Sequence, residues 1–312
     1  MNNVLITGVS GYIGMKIASA LADHPSGVAM VGIDVKPPRS RPAGLIFKER
    51  DVRGNIIDIM EEYRIDTVIH TAYVLPPIHD KALMEDINVS GTRNILAACE
   101  KARVKHLLYT SSTTAYGFYP DNPVPLTEDS PLRGNDDFTY AKNKKEIEFI
   151  LQEFTNNHPE MLVTVLRPCF VVGPGFNNPL ARYLQKPLVM LPRDTAPFQF
   201  VHEDDLLQVI MLCLEKSIPG IFNVAGDGTM TFPEMVTLLG NRVLHLPLWL
   251  MVPLNTLFWN LRFRFLTEFP SPGLNLVLYP WLASSRKLTE TTGFRFQYNT
   301  RSAFLDFVRA VR

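Results

Sequence analysis

Tyr140 and Lys144 stand four residues apart in the stretch Tyr140-Ala141-Lys142-Asn143-Lys144. On a helix that spacing puts both side chains on one face, one turn apart. A tyrosine with its ordinary pKa of about 10 is a poor base at neutral pH. A neighbouring ammonium favours the phenolate and lowers that value, so the pair suits proton transfer. Upstream, Thr110-Ser111-Ser112-Thr113 follows an apolar run and offers a hydroxyl to hold a reacting oxygen against the tyrosine. Tyr-x-x-x-Lys also arises by chance on helix surfaces, so the pair needs support from elsewhere in the chain.

That support begins near the N-terminus. Thr7-Gly8-Val9-Ser10-Gly11-Tyr12-Ile13-Gly14 lies between the apolar run Val4-Leu5-Ile6 and a helical pattern from Met15 to Ala22. Glycines at spacing three suit a tight turn, close approach of backbone to a pyrophosphate, and close helix–strand packing. The helix start adds free N–H groups and a positive dipole end. Gly8, Gly11, Tyr12, Ile13 and Gly14 are therefore candidate dinucleotide-binding residues. Asp34 lies twenty residues beyond Gly14, at the end of the second apolar run. An acid there accepts the hydrogen bonds of a free ribose 2′-hydroxyl and repels a 2′-phosphate, which favours NAD over NADP. Arg39 and Arg41 are the residues that would serve a 2′-phosphate instead.

The elements that must position these residues alternate. Strand patterns at Val4–Ile6, Val28–Ile33, Leu45–Lys48, Thr67–His70, Leu107–Tyr109 and Leu162–Leu166 are interleaved with helical ones at Met15–Ala22, Ile56–Tyr63, Met84–Ala102 and Tyr140–Phe154. That order predicts an α/β fold: a Rossmann-type doubly wound parallel sheet with right-handed crossovers. Beyond Pro168, proline and glycine become frequent, which marks loops. Phe198–Val201 and Ile221–Val224 read as strands returning to the sheet, with a helix from Asp204 to Leu214 between them. The expected division is a dinucleotide-binding domain at 1–172, rejoined by 198–226, and a smaller, mostly C-terminal substrate lobe at 173–197 and 227–312.

Composition narrows the function classes. The 312 residues are 46% hydrophobic and 20% charged, enough to bury a sizeable core. Thirty-one basic residues balance 31 acidic ones, so the chain has no electrostatic footprint for nucleic acid. Cys99, Cys169 and Cys213 are odd in number and not in metal-ligand or disulfide spacing, which implies reduced thiols and a cytoplasmic setting. The N-terminus lacks the pattern of a signal peptide. Leu246–Leu261 is the longest charge-free apolar stretch. It is short for a transmembrane span and interrupted by Pro247 and Pro253, so it is expected to be buried or to lie on a surface. His202 with Asp204 and Asp205 could suggest a metal pair, but Asp204 reads as a helix N-cap and no metal is expected.

The ordered motifs resemble the extended short-chain dehydrogenase/reductase superfamily, in its NAD-dependent epimerase/dehydratase group. They run from residue 4 to about 226: the glycine loop, Asp34, Asp51-Val52, His70-Thr71-Ala72, Asn88-Val89-x-Gly91-Thr92-x-Asn94, Tyr109-Thr110-Ser111-Ser112 with Tyr116-Gly117, Tyr140-x-x-x-Lys144, Arg167-Pro168, Gly173-Pro174-Gly175, Phe200-Val201-His202-x-Asp204-Asp205, and Phe222-Asn223-Val224-Ala225-Gly226. The resemblance implies that Ser112 is the catalytic hydroxyl, with Ser111 or Thr113 in that role if the register differs by one. It implies Tyr140 as general acid or base and Lys144 as the residue that binds the nicotinamide ribose and tunes Tyr140. Asp51 and Val52 would contact the adenine, Thr71 and Ala72 would line the cofactor, and Pro168 would touch the nicotinamide. His70 is expected to be a packed residue. The superfamily often dimerises through two helices per subunit, here Met84–Ala102 and Tyr140–Phe154, so a homodimer is expected.

The chain departs from the group's sugar-nucleotide pattern. An asparagine and an arginine that commonly hold the diphosphate are replaced by Phe170 and Phe198. Phenyl rings cannot supply the lost donors. The stretch after Ala72, including Val74, is also apolar. So is Leu246–Phe265, with Trp249, Phe258, Trp259, Phe263 and Phe265, a stripe that reads first as core. Val74, Ser112, Phe170 and Phe198 are thus candidate lining of an apolar substrate pocket, with Arg193 left as a residue able to serve a diphosphate. Thr113-Thr114 occupies the place of the dehydratases' acidic pair, which argues against dehydration; Glu128 and Asp129 are other acids between Ser112 and Tyr140. The resulting expectation is an NAD-dependent oxidoreductase acting on a small, rather apolar substrate. The alternatives are a sugar-nucleotide 4-epimerase and a non-catalytic dinucleotide sensor.

Overall fold

A computed structural model of the chain describes residues 1–25, 27–263 and 266–312. Seven parallel strands form the main sheet, in the order β10-β6-β5-β4-β1-β2-β3. They are β1 (Asn3–Thr7), β2 (Ala29–Asp34), β3 (Leu45–Glu49), β4 (Thr67–His70), β5 (His106–Thr110), β6 (Leu162–Pro168) and β10 (Gly220–Val224). β1, β4 and β5 are almost wholly buried, because helices cover both faces and leave no polar side to alternate with. The helices are α1 (Tyr12–Ala22), α2 (Ile57–Glu62), α3 (Lys81–Glu85), α4 (Gly91–Lys101) and α5 (Thr139–Asn157). The Rossmann-type architecture expected from the alternation is the one observed.

Strand order reverses between β1 and β4, and in such sheets ligands bind outside the strands' carboxyl ends at that point. His70 ties the two strands together there. Its Nε2 meets Thr92 Oγ1 at 3.0 Å, and that hydroxyl already donates to the Asn88 carbonyl, so Nε2 carries the proton. Nδ1 then accepts from Thr7 Oγ1 at 2.6 Å. Burial holds the ring neutral, pushing its pKa down to about 3. His70 is a packed residue, as expected.

Three differences from the sequence reading concern the elements. The long helix placed at Met84–Ala102 begins at Lys81 and is widened into a π turn over Asp86–Ser90 between α3 and α4. The π turn sets Asn88 Oδ1 to accept from the Val74 amide at 2.8 Å, which anchors the loop after β4. Of the two strands expected to rejoin the sheet, only β10 does. β9 (Phe200–His202) pairs instead with β7 (Phe170–Val172), in a separate two-stranded sheet. Finally, α7 (Glu203–Glu215) starts one residue earlier than predicted, and its N-cap is His202, whose Nδ1 accepts from the Asp204 amide. Asp204 sits in the first turn, where it pairs with Lys16.

The remaining elements lie mostly in the C-terminal part of the chain. α6 (Pro179–Leu184) and β8 (Leu188–Leu191) lie in the segment between β7 and β9. α8 (Phe232–Leu238) follows β10, and β11 (Arg242–His245) pairs with β8. α9 (Leu248–Asn260) comes next, then α10 (Asn275–Leu278), α11 (Arg286–Thr292) and α12 (Thr300–Val311). The apolar stripe of α9 is not core. Trp249 is 77% exposed and Phe263 51%, Phe258 and Trp259 are half-buried, and Phe265 lies outside the described residues.

Candidate active site

The glycine loop is shaped by contacts that admit no side chain. Gly8 has φ +70°, and a Cβ there would meet the Ala72 backbone at 2.7 Å. A Cβ on Gly14 would overlap the Gly8 carbonyl oxygen. Gly11 caps α1 without a side-chain hydrogen bond, so the first-turn N–H groups of Tyr12, Ile13 and Gly14 lack helical partners. Gly8, Gly11, Tyr12, Ile13, Gly14 and Thr71 line one end of a cavity of about 1230 Å³. The same cavity runs on to Ser112, Tyr140, Lys144 and Pro168. A pyrophosphate cradle joined to a proton-transfer pair fits a nicotinamide dinucleotide.

Asp34, Asp51, Val52 and Ala72 do not line that cavity. Asp34 sits beside the loop, where Oδ2 accepts from the Ser10 amide at 3.1 Å and Oδ1 from Lys36 at 3.3 Å, and each oxygen keeps a further lone pair. Asp51 is held by Arg53 Nη2 at 2.6 Å, and the hydrogen bonds from Arg53 keep its carboxyl below the usual range. Val52 packs where a Cβ on Gly91 would fall, and Ala72 meets the loop through its backbone. Of the two arginines able to reach a 2′-phosphate, Arg39 lines the cavity and Arg41 lies over the Phe47 ring.

α5 carries Tyr140, Lys144 and Glu148 one turn apart on one side. Lys144 Nζ donates to the Thr110 carbonyl at 2.9 Å and the Tyr109 hydroxyl at 3.0 Å, and lies 3.9 Å from the Tyr73 ring centre. The Tyr73 hydroxyl in turn donates to the Tyr140 carbonyl. The four-residue hydroxyl run divides its labour. Ser111 Oγ donates to Glu148 at 2.5 Å and Thr113 Oγ1 to the Pro168 carbonyl at 3.4 Å, so both alternatives to Ser112 are occupied. Ser112 Oγ accepts from the Thr114 amide at 3.2 Å, which leaves its proton free to donate. Thr114 Oγ1 is buried with no protein partner and lines the cavity. The Ser112 and Thr114 hydroxyls both act on the Tyr140 side chain in the direction of the phenolate. The sequence reading named Thr114 only as part of the Thr113-Thr114 pair and not as a site residue.

Two groups behave differently from the sequence reading. Tyr140 is pushed above its usual pKa, because burial outweighs the pull of the Ser112 and Thr114 hydroxyls towards the phenolate. The expected tuning by Lys144 does not prevail here, since its ammonium is aimed at Tyr109 and Thr110. Burial pushes Lys144 itself down to about 7, against the pull of Glu148. The unfolded chain therefore binds more protons than the folded one between pH of about 7 and 10.5, and stability rises with pH across that window. In thermal unfolding of the ligand-free chain, wild type should gain on Lys144→Met as pH rises through this range. A pH-independent difference contradicts the buried position of Lys144.

Glu148 is the other residue the sequence reading missed. Its carboxylate accepts from Arg167 Nε at 2.9 Å and Nη2 at 2.6 Å, and both side chains are 1% exposed. Arg167 Nη1 donates to the Tyr116 hydroxyl, which donates to Asn223 Oδ1. Glu128 belongs to this network too, accepting from the Asn223 amide at 2.7 Å, and neither it nor Asp129 lines the cavity. The network joins α5, β6 and β10 directly behind the hydroxyl run. The signal for Glu148 was its place four residues after Lys144.

Beyond Tyr140 the cavity is apolar. Val74, Phe170, Phe176, Leu180, Met251 and Phe258 are among its lining. Phe198 is not: it is 1% exposed and packs behind Phe170, 5.0 Å away, with Phe232 and Trp281. It shapes the pocket through Phe170. Arg193 is exposed and does not line the cavity either. The cationic lining residues are Lys16, Arg39, Lys144 and Arg182, among the described residues. Lys16 is paired with Glu203 at 2.8 Å, and Arg182 with Glu268 through contacts of 2.7 and 3.0 Å.

Comparison with known proteins agrees with this geometry. An uncharacterised protein of Mycobacterium tuberculosis is 27% identical over 98% of this chain and 83% of its own. The N-acetyl-alpha-D-glucosaminyl-diphospho-ditrans,octacis-undecaprenol 4-epimerase of Escherichia coli is 34% identical over 55% of this chain and 50% of its own. The structure of Thermus thermophilus UDP-glucose 4-epimerase in complex with NAD superposes with a TM-score of 0.78 over 99% of this chain and 98% of that one, at 23% identity. Residues 4–225 match the profile of the NAD dependent epimerase/dehydratase family, and the chain belongs to that family.

Proposed function

We propose that this NAD-dependent oxidoreductase transfers a hydride to or from the carbinol carbon of an apolar alcohol or ketone. The observation that carries the substrate class is the cavity beyond Tyr140: its lining is mostly apolar, and Arg182, a cation there, is engaged by Glu268. A diphosphate is held best by charge-assisted donors, and beside Arg182 this wall offers mainly the neutral amides Asn177 and Asn178.

The roles follow from the geometry. Ser112 donates its free proton to the substrate oxygen, and the unpartnered Thr114 hydroxyl supplies a second hydrogen bond. Tyr140 exchanges the proton with that oxygen, as acid in reduction and as phenolate in oxidation. Lys144, braced by Thr110 and Tyr109, holds the ribose edge beside Tyr140. Gly8, Gly11, Tyr12, Ile13 and Gly14 hold the pyrophosphate, Asp34 the adenosine ribose, Asp51, Val52, Thr71 and Ala72 frame the adenosine side, and Pro168 meets the nicotinamide. NAD, when bound, supplies the hydride acceptor. Val74 and Phe170 form the apolar wall, with Phe198 behind.

A second reading is epimerisation of a sugar carried on a lipid diphosphate. It is favoured by the named activity of the Escherichia coli relative, with Arg182 as the one guanidinium in reach. Following the absorbance of reduced nicotinamide with apolar secondary alcohols or with sugar diphosphates separates the two, because epimerisation returns the hydride. A homodimer through α4 and α5, where Phe149 stands exposed, and a cytoplasmic setting, supported by three buried free thiols, belong to the same reading.

A further inference from the structure

α9 has two apolar sides with different fates. It runs thirteen residues, Leu248–Asn260, without a charged side chain. Met251, Leu254 and Phe258 face inward and line the cavity. Trp249, Val252 and Leu257 face outward, and the exposed Leu261 and Phe263 follow directly. None of these five lines the cavity. Leaving such side chains in water forfeits the gain of burying them, so an exposed group of this size marks an interaction surface.

The charge around α9 says what covers it. Residues 235–267 contain no Asp or Glu, and Arg242 and Arg262, at either end of the helix, are exposed. A contact between the α9 segments of two copies would bring Arg242 and Arg262 of both copies together with no carboxylate in either segment to neutralise them. An anionic headgroup layer supplies the missing countercharge. Thirteen residues at a rise of about 1.5 Å make a helix of about 20 Å, too short for a hydrocarbon core of about 30 Å. Among the described residues no helix is long and apolar enough to cross a membrane. A helix too short to span, apolar on its outer side and followed by an arginine, is suited to lie in the membrane surface.

We propose that α9 docks the protein on an anionic phospholipid bilayer. Trp249, Val252, Leu257, Leu261 and Phe263 enter the acyl boundary, Arg242 and Arg262 meet lipid phosphates, and the inner side of the helix opens the apolar cavity towards the bilayer. The docking itself is read without turnover, so it stands or falls independently of the substrate class.

The test is flotation of the whole protein with phosphatidylcholine vesicles, with and without phosphatidylglycerol. Wild type is expected to float with the anionic vesicles and to release at high salt. Trp249→Asp and Leu257→Asp should each cut the bound fraction by about tenfold or more. Both positions are exposed and off the cavity, so NAD binding and the thermal unfolding midpoint should persist in both variants and certify the fold. Failure of wild type to float, or flotation that neither substitution lowers, overturns the proposal. So does a light-scattering mass that falls on Trp249→Asp, which assigns the patch to a second copy of the chain; a dimer through α4 and α5 would survive that substitution.

Discussion

Tyr140→Phe is expected to lower the turnover of hydride transfer by about 10²–10⁴-fold, the range typical for loss of a positioned acid or base. The substitution removes one oxygen and little else. The Tyr140 backbone carbonyl still accepts from Tyr73, and the ring still meets Tyr73 edge-on at 5.3 Å, so α5 keeps its place. Binding of NAD, read by quenching of protein fluorescence, should change little, which separates a chemical defect from a structural one. The raised pKa of Tyr140 adds a signature in wild type. Oxidation needs the phenolate, so its rate should climb as pH rises towards that pKa; reduction needs the phenol and should fall over the same range. Loss of NAD binding with loss of rate would show that Tyr140 acts through the fold.

The second large effect lies behind the site. Glu148→Ala leaves the Arg167 guanidinium buried and unpaired, and breaking one side of a buried pair costs about 3–5 kcal/mol. It also strands the Ser111 hydroxyl, which donates to the same carboxylate. Denaturant unfolding reads the loss directly. The double variant Glu148→Leu with Arg167→Leu should recover part of it, because two apolar residues leave no orphaned charge. If the double variant is less stable than Glu148→Ala, the pair contributes more than it costs to bury, and the penalty argued here is wrong. Activity should fall in Glu148→Ala as well, since the network aligns α5 with the hydroxyl run.

Local patterns were legible in the sequence, and contacts across the chain were not. The glycine loop, β1 to β6 and the Tyr140–Lys144 spacing are each written within a few consecutive residues, so periodicity and glycine placement suffice to read them. The division of labour among Ser111, Ser112, Thr113 and Thr114 depends on a tight turn whose hydroxyl directions no spacing rule gives. Arg167 reaches Glu148 across nineteen positions, and its charge hid its burial, because a charged residue is read first as solvated. β9 is three residues long, too short for its alternation to name a partner. Phe198 was placed in the pocket by analogy of position, but its ring is buried and packs behind Phe170. For α9 the apolar run allowed burial or a surface position, its aromatic stripe read first as core, and half of the helix is in the open.

The central claim is net redox chemistry at an apolar carbinol carbon, and the amount of NADH formed tests it most directly. The purified chain, given NAD and a series of hydrophobic secondary alcohols, should accumulate NADH in step with ketone, and Tyr140→Phe should abolish nearly all of it. If no alcohol yields NADH while a sugar diphosphate emerges inverted at one carbon with the cofactor unchanged, the oxidoreductase account is contradicted and the epimerase reading stands.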